Sequence, residues 1–198
     1  MTRQTWFSRK GMVSLWVAAA FALIVASASA QSAPSSVVIT GDAARRALTK
    51  GVLSGAAAEK ISQACQEYAV QHNFAAVIFI LDPYGNIVHA HRMDGIRPVQ
   101  FESAIDKAKT SLFTRTATTL LAAQVGNDVS QQVRYRMRGL DLGPGGVPII
   151  VNNQLIGSIG VAGSDPLDEP CVAAGFAAVG ISMPPTGPSP APPPPPAR

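Results

Sequence analysis

The sequence is short of the residues on which most catalytic and metal chemistry depends. It has three histidines, His72, His89 and His91, and two cysteines, Cys65 and Cys171, in 198 residues. Neither cysteine belongs to a Cys-x-x-Cys pair, which leaves a structural zinc site or a thioredoxin-like redox motif without support. There is no Gly-x-Ser-x-Gly elbow for a serine nucleophile and no Gly-Lys-Ser/Thr following a glycine-rich turn for a phosphate. No pair of carboxylates stands in a setting that marks an acid and a base. Charged residues make up 14% of the chain, and no Lys/Arg stripe interleaves with aromatics, so nucleic acid is not an expected partner. The one locally basic run, Arg134 to Arg138, reads as a solvated helix face or loop.

The two ends differ in composition from the middle. Arg3, Arg9 and Lys10 form a cationic start, Met12 to Ala26 is apolar and uncharged, and Ala28, Ser29 and Ala30 make the small-residue pattern of a signal-peptidase site. Residues 1–30 are therefore expected to be a signal peptide, which predicts a periplasmic or secreted protein beginning at Gln31. The alternative is a retained anchor, but the apolar run falls short of the ~20 residues of a spanning helix, so no stable membrane insertion is expected after cleavage. Without the three leader bases, the 16 basic residues become 13 against 12 acidic ones, and the apparent basicity vanishes. Residues 183–198 are rich in proline, which fixes φ and lacks an amide donor, and they read as an extended, disordered tail. Between the ends, 31–182 has the length of a single domain.

Periodicity gives a coarse fold. Ala57, Ile61, Ala64, Cys65 and Tyr68 recur at helical spacing within Leu53–His72. Ala75–Leu81 is a continuous apolar run, as in a strand covered on both faces. Asp82, Pro83 and Gly85 signal a turn into a second strand, Asn86–Met93. Phe101, Ile105, Ala108 and Leu112 stripe the next helix, with Lys107 outside the stripe. The threonine-rich stretch that follows and the segment Asn127–Leu140 fit helix and irregular chain equally. Val147–Val151 and Leu155–Val161 flank an Asn pair as a second hairpin. A last helix is capped by Asp165 and runs to about Val179. Helix, hairpin, helix, hairpin, helix is an α+β domain with a mainly antiparallel sheet. Four strands are counted, and the β-branched stretch Ser36–Thr40 is the candidate fifth. An even cysteine count in an exported chain permits a bridge; Cys65 and Cys171 either join the first and last helices or sit apart as small buried hydrophobes.

Several polar residues stand out. His89 and His91, two apart on the second strand, share one face with Ile87 and Met93, and alternation does not say whether that face is core or solvent. His72 closes the first helix, where a cation suits the negative end. Arg92 and Lys107 are cations able to neutralise a carboxylate. Gly145 and Gly146 admit close approach of the backbone to a ligand or to a neighbouring element.

Three stretches form one ordered pattern: Asp82 to Asn86 (Asp-Pro-Tyr-Gly-Asn) leading into Arg92-Met93-Asp94-Gly95, then Asp106 to Thr110 (Asp-Lys-Ala-Lys-Thr), then Gly145 to Ile149 (Gly-Gly-Val-Pro-Ile) followed by the glycine series Gly157, Gly160 and Gly163. In these the chain resembles the GlcG/HbpS family, related to the C-terminal domain of PduO-type proteins, over roughly Ala43 to Ile181. The resemblance implies a five-stranded antiparallel sheet flanked by helices, self-association, and haem as cofactor. It assigns no axial ligand. An imidazole is a usual ligand for haem iron, so His89 and His91 come first and His72 next, with Met93 beside them. Arg92 or Lys107 would then meet a propionate, and Gly145 and Gly146 would line the site. The function implied is storage, sensing or handling of haem, with haem degradation proposed for some relatives. The rivals are an enzyme using the same pocket on a small molecule or corrinoid, and a non-catalytic oligomeric interaction protein. Thr116–Leu140 carries no family signature, and the proline-rich tail is an addition.

Overall fold

The computed structural model describes residues 51–188; the leader 1–30, the candidate strand Ser36–Thr40 and residues 189–198 lie outside the described residues. Helix α1, Gly55–Gln71, starts where the Ser54 hydroxyl accepts the Ala57 amide at 3.2 Å. It buries Ala58, Ile61, Cys65 and Ala69 along one face. Strands β1 (Val77–Leu81) and β2 (Ile87–Arg92) follow, joined by the expected turn. In that turn the Asp82 carboxylate accepts the Tyr84 and Asn86 amides at 2.8 and 2.9 Å. Gly85 supplies the positive φ, +88°.

Helix α2 spans Pro98–Thr114 and helix α5 spans Asp165–Ala178, with strands β3 (Gly146–Val151) and β4 (Gln154–Ala162) between them. The N-cap of α5 is Ser164 rather than Asp165. Two short helices occupy the stretches whose sequence fits either state, α3 over Thr118–Val125 and α4 over Val129–Arg136. Asp128 caps α4, accepting the Gln131 amide at 3.0 Å. Because α4 buries none of its residues, it has no core stripe for periodicity to reveal.

The sheet is antiparallel throughout, in the order β2-β1-β4-β3, with four strands among the described residues where about five were expected. All five residues of β1 are buried, as its unbroken apolar run predicts. Ile78 and Ile80 face the core under α1 and α5, whereas Val77, Phe79 and Leu81 face Ala104, Ala108 and Leu112 of α2. The fold is thus a helical layer, a sheet and a second helical layer. Helix α2 lies so close to β4 that a side chain at Gly160 would strike the Ala104 carbonyl and the Ala108 amide. On the other layer Cys65 and Cys171, both fully buried, form a disulfide that ties α1 to α5. Residues 183–188, read from sequence as the start of the tail, lie against the domain: Met183 packs on the core and the Gly187 amide donates to Thr119 Oγ1 at 3.1 Å.

Candidate functional site

The sequence-selected residues fall into two clusters, with His72 apart from both. The first cluster is on β2, which has β1 on one side and no strand on the other among the described residues. A β-bulge shapes it. Ile80 pairs with His89 and Leu81 with Ile87, so Val88 is an extra residue and the alternation shifts at that point. His89 and His91, opposite Ile80 and Ile78, therefore face the α1/α5 layer, together with Met93. Ile87, expected to share that face, is instead turned to the opposite side, opposite Leu81, and is 58% exposed.

His89 and His91 are each half-buried. Met93 anchors the end of the strand: its amide donates to the Ala76 carbonyl at 3.0 Å, and its sulfur accepts the Ala76 amide at 3.3 Å. The Nε2 of His89 is buried and has no hydrogen-bond partner among the described residues. A buried polar nitrogen left unmatched costs about 1–3 kcal/mol. Arg92 alternates to the other face, opposite Val77. There it joins Arg97, Ile96 and Phe101 along a shallow groove of about 280 Å³.

The second cluster is a buried junction between α2, β4 and α5. Lys107, placed by periodicity outside the α2 stripe, is only 2% exposed. Its ammonium donates to Asp168 Oδ2 at 3.0 Å and to the Val161 carbonyl at 3.2 Å. Asp165 lies 3.9 Å from the same nitrogen. The other oxygen of Asp168 accepts the Ser164 amide at 2.8 Å, which fastens the first turn of α5. Burial pushes the Asp168 carboxyl above the usual carboxylate range, while the Lys107 charge and the Ser164 amide hold it back. Nearby, the buried Glu169 accepts the Thr119 hydroxyl at 2.7 Å.

Gly145 and Gly146 belong to this junction. A Cβ on Gly146 would lie 2.5 Å from the Lys107 carbonyl and 2.5 Å from the Thr118 methyl. One on Gly145, whose φ is +104°, would lie 2.5 Å from the Val161 carbonyl and 2.8 Å from Asp168 Cβ. What these glycines admit at close range is the protein's own backbone. The Lys107 ammonium likewise has carboxylate and carbonyl partners inside the fold, so a propionate would have to displace them. Lys107 does form part of the floor of an open groove of about 590 Å³ between the first turns of α2 and α5. His72 is the C-cap of α1; its ring stacks on Tyr68 at 3.9 Å, with Nδ1 2.9 Å from the Tyr68 carbonyl.

Among the described residues no three His, Cys, Asp or Glu side chains gather as a metal cluster, and no helix is long and apolar enough to cross a membrane. The signal that sequence reasoning missed is the Lys107–Asp168 pair, whose members lie 61 positions apart. Its trace is the three-residue step from Ala104 to Lys107 to Thr110, all buried on one helix face.

Comparison with known proteins agrees with this fold. Protein GlcG of Escherichia coli K12 is 33% identical over 114 residues, covering 58% of this chain and 84% of GlcG. The crystal structure of HbpS superposes with a TM-score of 0.60 at 27% identity, over 74% of this chain and 97% of that one. The crystal structure of the PduOC:heme complex gives 0.62 at 25% identity, over 67% and 98%. The profile of the family described as haem degrading protein HbpS-like matches residues 53–177, and the chain belongs to that family.

Proposed function

We propose that this is an exported haem-binding protein that holds iron through an imidazole of β2, His89 or His91, and that works as an assembly of identical copies. The observation that carries the reading is the buried Nε2 of His89, which has no partner among the described residues, beside His91 on the same face of a strand whose outer edge is open among them. Imidazole is a common haem ligand, and a strand fixes its height and direction. Met93 would flank the iron side, whereas Arg92 is turned to the other face of the strand and could meet a propionate only around its edge. Haem, when bound, would supply the redox and gas-binding chemistry; the chain would supply the ligand, the apolar wall and the charge balance. Lys107, Gly145 and Gly146 would contribute indirectly, by fixing α2 against the sheet.

Export is supported by the leader pattern of residues 1–30 and by the buried Cys65–Cys171 bridge, a bond that persists in oxidising compartments. The family description and the haem complex of PduOC support the cofactor. Titration with haemin tests the reading directly. A Soret band that shifts and saturates at a fixed stoichiometry is expected, with its position changed in His89→Ala/His91→Ala. An unsaturable spectrum, or an identical Soret position and affinity in the double variant, would refute it. The mass of protein recovered outside the cytoplasm should correspond to a start at Gln31.

A further inference from the structure

Helix α4 presents to solvent a combination that the haem site does not use. Val129, Val133 and Met137 follow one another at four-residue spacing and are 67%, 49% and 83% exposed. Gln132 and Tyr135 are half-buried, so the helix rests on the domain by that side and turns the Val129–Val133–Met137 line outward. At about 100° per residue, Arg134 falls on one flank of this line and Arg136 on the other. Arg138 continues the first flank. None of the three arginines is paired with a carboxylate among the described residues. Arg134, Arg138, Gln131 and Tyr135 border a small cleft of about 170 Å³. The one acidic residue adjoining the helix, Asp128, is engaged as its cap.

We propose that α4 is a docking face for an anionic lipid surface, with Val129, Val133 and Met137 entering the headgroup boundary and Arg134, Arg136 and Arg138 meeting lipid phosphates. The charge pattern selects an anionic partner, since the charged groups on the exposed flanks are all guanidinium. The shape selects lipid over an acidic protein. A stable protein contact needs about 1,000 Å² with a fitted apolar centre, whereas an eight-residue helix offers a narrow convex ridge with cations on both sides. That is the layout of a helix lying in a membrane interface, where apolar side chains go deepest and arginines stay at phosphate level. The proposal is independent of the haem reading.

The test is peptide-resolved hydrogen exchange on the full chain with vesicles of phosphatidylcholine alone or mixed with phosphatidylglycerol. A local readout is needed because the apolar run Met12–Ala26 can itself hold the chain to a vesicle. Amides of α4 are expected to gain protection on the mixed vesicles and to lose it in high salt. Inorganic phosphate alone should give none. In Arg134→Glu/Arg136→Glu/Arg138→Glu the vesicle concentration needed for that protection should rise by roughly a hundredfold, about fivefold for each arginine taken away from the phosphates. Met137→Asp, at the most exposed position, should weaken it with the fold intact. Unchanged exchange in α4 on mixed vesicles, equal protection on neutral ones, or protection that survives the charge reversal would overturn the proposal. So would protection that needs no vesicle and grows with protein concentration, which would make the ridge a contact between copies.

Discussion

Lys107 and His89 are both polar side chains set against an apolar core, yet they stand in opposite conditions. The Lys107 ammonium has a carboxylate and a carbonyl as partners, and Asp168 in turn holds a backbone amide. The buried nitrogen of His89 has nothing, on a strand whose outer edge is free among the described residues. Where the charge is met by a carboxylate and a carbonyl, the cluster is a fastening: it fixes α5 and α2 to the end of β4. Where a buried nitrogen is left unmatched, folding has retained a cost that a ligand can relieve. A charged pair in the interior is thus weaker grounds for a binding site than a buried ring nitrogen without a partner.

The disulfide joins two helices of one layer that between them serve both regions, since α1 covers the histidine face and α5 carries Asp168. Its loss should have the largest effect on stability. Closing a loop of 106 residues is worth roughly 4–5 kcal/mol in the chain-entropy account. Cys65→Ala/Cys171→Ala should therefore unfold at much lower denaturant than the parent. An unchanged midpoint would mean that the bridge constrains neither helix.

Lys107→Met comes next. It leaves Asp168 buried without its counter-charge and should destabilise the domain by about 3–5 kcal/mol at neutral pH. Lys107→Met/Asp168→Leu should recover most of that, because the uncompensated charge is gone. The pH dependence has a definite sign. The Asp168 carboxyl already titrates above its ordinary value of 3.8 in the folded protein, and removing Lys107 raises it further. The folded variant then keeps a proton that the unfolded chain has lost, so its stability falls as pH rises through the ordinary Asp range. The deficit relative to the parent should shrink as pH is lowered toward 4. The double variant, once folded, should bind haemin with the parent's Soret position, which separates the fastening from the binding edge.

Gly146→Ala should cost less, about 1–3 kcal/mol, because its methyl would be forced against the Lys107 carbonyl and the Thr118 methyl. Thermal unfolding with and without haemin measures it. A loss of affinity larger than the loss of stability would return this glycine to the ligand site.

How much of this is legible in the sequence depends on whether the determining contact is local. The unbroken apolar run of β1, the stripe of α1 and the Asp82 turn are local patterns, and the structure follows them. Periodicity puts Lys107 on the solvent side because a lysine inside a stripe is costly unless matched, and its match, Asp168, comes from an element beyond the second hairpin. The α2 stripe is broader than the expected one: Ala108 and Leu112 are buried and Ile105 packs on the core as expected, Ala104, Lys107 and Ser111 are buried with them, and Phe101 stays 43% exposed with its ring edge against Phe79. The bulge at Ile80 and Leu81 leaves no local trace in the sequence. Its effect is to separate Ile87 from the histidines while keeping His89 and His91 together, as period-two alternation requires. Alternation thus places the two imidazoles correctly relative to each other, and their face is decided only by which helices cover the sheet.

The smallest expected change in stability distinguishes most sharply between the two regions. His89→Leu replaces a half-buried ring with an unmatched nitrogen by an apolar side chain of similar bulk. If the only role of His89 were packing, the substitution should be neutral or stabilising by up to about 1 kcal/mol, since an unsatisfied polar atom is removed. If His89 is the iron ligand, the same variant should fold at least as well as the parent and yet bind haemin more weakly, with a displaced Soret band. His91→Leu is the control on the same face, two residues away. A spectral change confined to His89→Leu assigns the ligand to the unpartnered ring, and one confined to His91→Leu moves it along the strand. A stable His89→Leu protein with the parent's spectrum and affinity would leave the vacant Nε2 as a tolerated defect and end the contrast with Lys107.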